Sequence, residues 1–387
     1  MSSMIKHLAI KNYKSLRDVQ FDPKALSVLV GPNSSGKSNL LDAIRFTREL
    51  VSDGRKALER RNGFNTIVWS GDSSLKISFE LHGDLTWERG TNSFQYFVEL
   101  SNQPFNVREN REYFKIQVDG EFRTLLEFPD ASGNASLYNM DSKQISSFSR
   151  TDVSSFLHQF AARHGENQPV GFFSDYLQSW EVYDPTPVLM RVPVSAKHDL
   201  KLMPHGENLG TVLHTIHSEY PSVFRTIEEH LRTLVPESRN LLSLLTEKAN
   251  TYPGLEEDLL STKIPATSMS SGTLRFLAFL AALYSPEAPP LVGFEEPENN
   301  IHPRALELLV DALKNAAGKR QVIISTHSPY LLNFIELDSV FVFDKKQAGT
   351  TINEASTTKE LTSLLRSVGL GEAWYAGTIG GVPTREK

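Results

Sequence analysis

Apolar positions at the start of the chain fall into short alternating or continuous runs. Leu8 and Ile10, then Leu26, Val28 and Val30, mark such runs, broken at Asp22-Pro23, so Ile5 to Val30 is expected to form two or three strands. Beyond Gly31 to Ser38, Leu40, Leu41, Ile44 and Leu50 recur at helical spacing. Leu75 to Leu81 and Phe94 to Leu100 read as further strands, and Asn208 to His217 and Ser222 to Leu234 as helices. From Ser268 onward the pattern is a loop, an apolar helix over Leu274 to Leu283, a strand over Leu291 to Glu296, a helix from Arg304 to about Asn315 and a strand over Gln321 to Ser325. Gly318 stands where it could end the helix before that strand. Strands alternating with helices predict an α/β fold. Residues 101 to 185 are more polar, with Ser-rich stretches such as Ser142 to Ser155, and are expected to form an inserted lobe of unassigned role.

Length and composition narrow the picture. At 387 residues the chain is long for one compact domain, so two lobes or one domain with a large insertion is expected. It has no cysteine, which excludes disulfides and thiolate metal sites. Met1 to Ile10 does not resemble a signal peptide. The longest apolar segment, Phe276 to Tyr284, is far short of the roughly 20 residues needed to span a bilayer, so no membrane partner and a cytoplasmic location are expected. A net charge of -6 means that nucleic-acid binding would require a local basic patch. Lys11, Lys14 and Arg17, with Arg55, Lys56, Arg60 and Arg61, could supply one or could be an ordinary solvated face.

Gly31-Pro32-Asn33-Ser34-Ser35-Gly36-Lys37-Ser38 fits G-x-x-x-x-G-K-[ST]. Glycines at 31 and 36 let the backbone turn tightly and aim its N–H groups at phosphate oxygens. Lys37 would bring positive charge to the β- and γ-phosphates, and the Ser38 hydroxyl would reach Mg²⁺. An apolar strand before the loop and an amphipathic helix after it supply the setting this chemistry needs.

Three later features complete a set. Leu291 to Glu296 is a short apolar strand ending in two carboxylates, the form needed to bring acids beside a phosphate loop. Neighbours on a strand point opposite ways, so Glu295 is expected to hold Mg²⁺ through water and Glu296 to polarise an attacking water. His327 follows the Gln321–Ser325 strand and could bond a γ-phosphate or be purely structural. Met269-Ser270-Ser271-Gly272-Thr273 precedes the apolar helix and reads either as an anion site or as an ordinary helix cap.

The order of these elements resembles that of the ABC-type ATPases, most closely the RecF-, SMC- and OLD-like group. The resembling pieces are Ile10 to Leu16, Gly31 to Asn39, Gly206 to Leu209, Ser270 to Arg275, Phe294 to Pro303, Ser325 to Leu332, Gly371 to Tyr375 and Gly380 to Pro383. Ser34 departs from the group, in which Gly is common there, as does Ser271, which replaces the first Gly of the usual signature pair. No glutamine is assigned to a Q-loop.

The resemblance implies a P-loop NTPase with a mixed sheet and an inserted helical and β lobe. Residues 1–100 would be the N-terminal part of the head, 101–185 the insertion, and 186–387 the signature lobe with the rest of the head. It implies ATP and Mg²⁺ as cofactors, with Asn33, Ser34, Ser35, Gly36, Lys37, Ser38 and Asn39 on the nucleotide. Catalytic roles fall to Lys37, Glu296 and His327, and metal binding to Ser38 and Glu295. Two copies would sandwich ATP, with Ser270 and Gly272 of one acting on the nucleotide of the other.

OLD-like nucleases carry a Toprim domain after the ATPase. Only 60 residues follow His327 (387 − 327), without an Asp-x-Asp pair, so a separately encoded effector, Toprim-type or another nuclease, in anti-phage defence is expected. The alternatives are a RecF-like repair ATPase that binds double-stranded DNA itself, a transporter ATPase subunit, and an ATP-gated scaffold with negligible turnover.

Overall fold

The computed structural model describes residues 3–103, 106–130, 133–148, 155–161, 168–257, 262–355 and 368–379. The chain divides into two compact units: Met1–Trp180 with Phe341–Thr357 and Gly380–Lys387, and Glu181–Val340 with Thr358–Ile379.

The first unit opens with β1 (Met4–Tyr13), β2 (Leu16–Phe21) and β3 (Leu26–Val30), followed by the helix Lys37–Asp53. Then come β4 (Lys76–Trp87), β5 (Gly90–Gln103), β6 (Asn106–Val118), β7 (Glu121–Phe128), β8 (Ala135–Tyr138) and β9 (Gln144–Phe148). An antiparallel sheet runs in the order β2-β1-β4-β5-β6-β7-β8-β9. Alternation sets its faces: Ile77, Phe79 and Leu81 of β4 are fully buried, with more polar residues between them. The helix after the phosphate loop rests on this sheet, with Phe46 against Tyr13 and Phe79. The helix Gln168–Ser179 does the same through Phe173, which packs on Phe94, Tyr96 and Phe114. Burying each such ring is worth about 1.5–3 kcal/mol. The polar stretch beyond residue 100 therefore continues the sheet and then supplies helices that cover it.

The second unit contains β10 (Glu181–Tyr183), β11 (Val194–Ser195), β12 (Ser238–Leu245), β13 (Asn250–Glu257), β14 (Ile264–Pro265), β15 (Leu291–Glu295) and β16 (Gln321–Ser325). Strands β10, β15 and β16 are parallel, whereas β11, β13 and β12 form an antiparallel group with β14 paired to β13. Parallel strands are covered on both faces, so β15 and β16 read as continuous apolar runs. One cover is the helix Ser271–Tyr284, which is buried from Thr273 to Leu283 and hence lacks an amphipathic pattern. The helix Leu306–Ala317 ends at Gly318, whose φ of −65° is right-handed, unlike the left-handed cap that a glycine there suggests.

The chain re-enters the first unit at Phe341. There β17 (Val340–Lys346) and β18 (Gly349–Glu354) pair antiparallel, with β17 next to β3. Among the described residues no helix is long and apolar enough to cross a membrane.

Candidate nucleotide site

In the first unit β3 delivers the chain into the loop Gly31–Gly36, and Lys37 starts the helix. Gly36 is required twice over. Its φ is 111°, and a Cβ would lie 2.3 Å from Thr350 Oγ1. A Cβ on Gly31 would meet the Phe343 carbonyl at 2.3 Å. The close packing of β17 and β18 thus fixes the loop. Lys37 is 5% exposed, and its ammonium donates to the Gly31 and Pro32 carbonyls at 2.8 and 3.0 Å.

The first turn of this helix has no acidic residue and its Gly36 cap offers no side-chain bond, so its N–H groups and positive dipole end suit an anion. Asn33, Ser34 and Ser38 are exposed, whereas Ser35 is buried. The Ser35 hydroxyl has no hydrogen-bond partner among the described residues, and its carbonyl accepts from Thr350 Oγ1 at 2.8 Å. Asn39 Nδ2 donates to Ser15 Oγ at 2.7 Å, which shares a 2.8 Å bond with Thr350 Oγ1. Ser34 adopts φ 63°, which explains why glycine is the favoured residue there.

Behind the loop, Asp42 is a charge hub. It accepts from Tyr13 Oη at 2.7 Å and Arg61 Nη2 at 2.7 Å, and it pairs with Lys14 Nζ at 2.5 Å. Burial pushes the Asp42 pKa up, but hydrogen bonding and charge from Arg61, helped by Lys14 and Tyr13, outweigh it and hold the pKa at about 2. Arg61 also pairs with Glu49 at 2.5 Å, Arg60 with Asp53 at 2.5 Å and Arg55 with Glu59 at 3.2 Å. Lys14 and Arg61 are thus held by neighbouring acids, whereas Arg55 and Arg60 keep exposed side chains, as an ordinary solvated face does. Lys11, Arg17 and Lys56 are exposed.

The second unit holds the acids, the histidine and the Ser-Gly helix start. Glu295 ends β15, and Glu296 turns away with a left-handed φ of 43°. Its direction is therefore set by the turn rather than by the strand alternation expected from sequence. Glu296 Oε2 accepts from Asn299 Nδ2 at 2.7 Å, and Oε1 lies 3.7 Å from His327 Nε2. The His327 side chain is 30% exposed and that of Glu296 41%, so both can meet a ligand. Ser270 caps the helix Ser271–Tyr284, its hydroxyl accepting from Thr273 N at 3.0 Å. A Cβ on Gly272 would lie 2.1 Å from the Asn300 carbonyl, so this glycine lets the helix start abut the turn that follows the acids.

Three residues to which sequence reasoning assigned no role help to build this region. Arg191 Nη2 donates to the Met269 carbonyl at 3.0 Å and to Ser271 Oγ at 3.3 Å. Arg275 donates to the Pro185 carbonyl at 2.7 Å and the Glu296 carbonyl at 3.4 Å. An arginine in an otherwise apolar helix needs buried partners, which was the available signal. Glu298 accepts from Thr326 Oγ1 and His327 N. Gly380 to Pro383 lies outside the described residues.

Among the described residues no three His, Asp or Glu side chains gather into a metal cage. Mg²⁺ needs no such cage, because it is commonly held by one or two protein oxygens, water and substrate phosphates. The hydroxyl of Ser38 and the carboxylate of Glu295 are hard oxygen donors of that kind.

A family model described as "AAA domain, putative AbiEii toxin, Type IV TA system" matches residues 26–333, most of the chain. The chain belongs to that family. The matched span contains the phosphate loop, Ser270, Gly272, both acids and His327. The OLD nuclease of Thermus scotoductus is 23% identical over 352 residues, covering 84% of this chain and 59% of that protein. The ATP/GTP phosphatase of Helicobacter pylori is 21% identical over 368 residues, covering 90% of this chain and 91% of the phosphatase. The chromosome partition protein Smc of Methanocaldococcus jannaschii is 38% identical over 63 residues, 16% of this chain and 5% of that protein. The chain thus spans less than two thirds of the OLD nuclease and a small part of Smc. A crystal structure of an Smc head bound to the C-winged-helix domain of ScpA superposes with a TM-score of 0.56 at 13% identity, covering 90% of this chain and 97% of that one. The fold is that of an SMC-type ATPase head, and the chain is a P-loop ATPase of the ABC-type RecF, SMC and OLD group.

Proposed function

We propose that this AAA-family protein binds ATP with Mg²⁺, hydrolyses it, and uses the cycle to control a separately encoded effector, a nuclease, in anti-phage defence in the cytoplasm. The observation that carries the nucleotide part is the buried Lys37 ammonium, tethered over a glycine loop at the start of a 17-residue helix with no acidic first turn. Backbone N–H groups from Asn33 to Asn39 bind phosphate oxygens, and the Lys37 ammonium moves from the Gly31 and Pro32 carbonyls onto the β- and γ-phosphates. Ser38 and Glu295 hold Mg²⁺, which neutralises phosphate charge when bound. Glu296 orients the attacking water, and His327 donates to the γ-phosphate. Ser270 and Gly272 act on the nucleotide of a second copy, so ATP favours a closed head-to-head dimer.

Similarity to an OLD nuclease over 84% of the chain supports the nuclease-linked role. Glu296→Gln, tagged and expressed with its native gene neighbours, should retain a nuclease in fixed ratio when ATP is present, and Lys37→Ala should abolish protection against phage. Recovery of no nuclease and unchanged phage sensitivity would overturn this role. The Smc matches favour a second reading, a DNA-binding repair or chromosome-maintenance ATPase. Salt-sensitive duplex binding would favour that reading, and no binding at low salt would dismiss it.

A further inference from the structure

Strands β15 and β16 pair in parallel with Glu295 opposite Ser325. One more backbone bond, Glu296 N to Ser325 O at 3.0 Å, extends the ladder. Pro297 then interrupts it, having no N–H to give. Past this point a side chain replaces the backbone. Glu298 Oε1 accepts from Thr326 Oγ1 at 2.6 Å and from His327 N at 2.9 Å. Thr326 is fully buried, and its oxygen in turn accepts from Ser328 N at 3.0 Å. A single carboxylate oxygen therefore fixes the backbone on which His327 is carried. The ring of that histidine ends 3.7 Å from Glu296 Oε1.

Holding an acid here is costly. Glu298 Oε2 is buried and has no hydrogen-bond partner among the described residues. Burial raises the Glu298 pKa, against the bonds from Thr326 and His327. Such an expense points to a role in the site rather than in stability.

We propose that Glu298 is a positioning residue for ATP hydrolysis, holding the His327 backbone so that the imidazole reaches both Glu296 and the γ-phosphate. The proposal rests on the reading that Glu296 and His327 serve hydrolysis. In this role Glu298 acts through His327, from whose backbone N–H it accepts a hydrogen bond.

The test is steady-state ATP turnover by Glu298→Ala, Glu298→Gln, His327→Ala and the double variant Glu298→Ala/His327→Ala. Misplacing a catalytic group by about 1 Å can cost about 100-fold, so Glu298→Ala should lower kcat about 10- to 100-fold. The KM for ATP should stay within about twofold, because the phosphate loop is untouched. Glu298→Gln keeps an acceptor oxygen and should recover most of the loss. In the His327→Ala background, Glu298→Ala should cause little further loss, since the two act as one unit. Wild-type kcat in Glu298→Ala, a loss confined to KM, or additive losses in the double variant would overturn the proposal. If Glu298→Ala does not fold, Thr326→Val removes one of the two bonds and should show the same non-additivity with His327→Ala. Undiminished turnover in His327→Ala would instead refute the underlying hydrolysis reading, a separately recognisable failure.

Discussion

Replacing Asp42 with Asn should destabilise the first unit by about 2 kcal/mol at pH 7, and the loss should vanish in acid. Asp42 is 15% exposed at its side chain and pairs with Lys14 and Arg61 while accepting from Tyr13. These groups hold its pKa at about 2, against an ordinary value of 3.8. At about 1.4 kcal/mol per pKa unit, that difference is worth about 2 kcal/mol of folding stability. The sign follows from the direction. A depressed carboxylate pKa stabilises the fold at pH above 3.8, and the stabilisation is lost as the pH falls toward about 2. Breaking a buried pair outright costs about 3–5 kcal/mol. Here Asn keeps one acceptor and Arg61 keeps Glu49 at 2.5 Å, so the lower figure applies. Urea unfolding followed by tryptophan fluorescence measures the gap between wild type and variant, because Trp69, Trp87 and Trp180 all lie in this unit. Other carboxylates titrate in both proteins and cancel in the difference. A gap under about 0.5 kcal/mol at pH 7, or one that does not shrink between pH 4 and pH 2, would refute the reasoning.

Three further outcomes are expected. Ser34→Gly should raise stability by about 1 kcal/mol in thermal melts, because Ser34 sits at φ 63° where glycine is unstrained. Gly272→Ala should cost about 1–3 kcal/mol by urea titration and also slow turnover, since its Cβ would press on the Asn300 carbonyl at 2.1 Å. Lys37→Ala should weaken equilibrium binding of a fluorescent ATP analogue by about 10- to 100-fold, the worth of a hydrogen bond to a charged group.

Where chemistry fixes residues at a fixed spacing, the sequence was readable. The strand, glycine loop and helix over residues 26–53 stand where the G-x-x-x-x-G-K-S pattern and the Leu40, Leu41, Ile44 and Leu50 spacing put them. The apolar run predicts a helix from Leu274, but the helix starts at Ser271, because its polar first turn is stabilised by the Ser270 cap rather than by apolar burial. Strands β6 and β7 are not announced by the sequence, because long strands open to water on one face carry polar residues that dilute the alternation. Glu296 broke the strand rule by adopting a left-handed turn, a conformation its residue type does not announce. The Asp42–Arg61 pair and the Glu298–His327 bond join residues 19 and 29 positions apart, and no local pattern encodes such partners.

The most direct measurement is phosphate release from ATP and Mg²⁺ by the wild-type protein beside Glu296→Gln, with nucleotide binding measured on both. Wild type should turn over, whereas Glu296→Gln should bind ATP equally well and release phosphate about 100-fold more slowly or less. Equal rates in the two proteins, or no release above background by the wild type, would contradict an ATPase that works through Glu296.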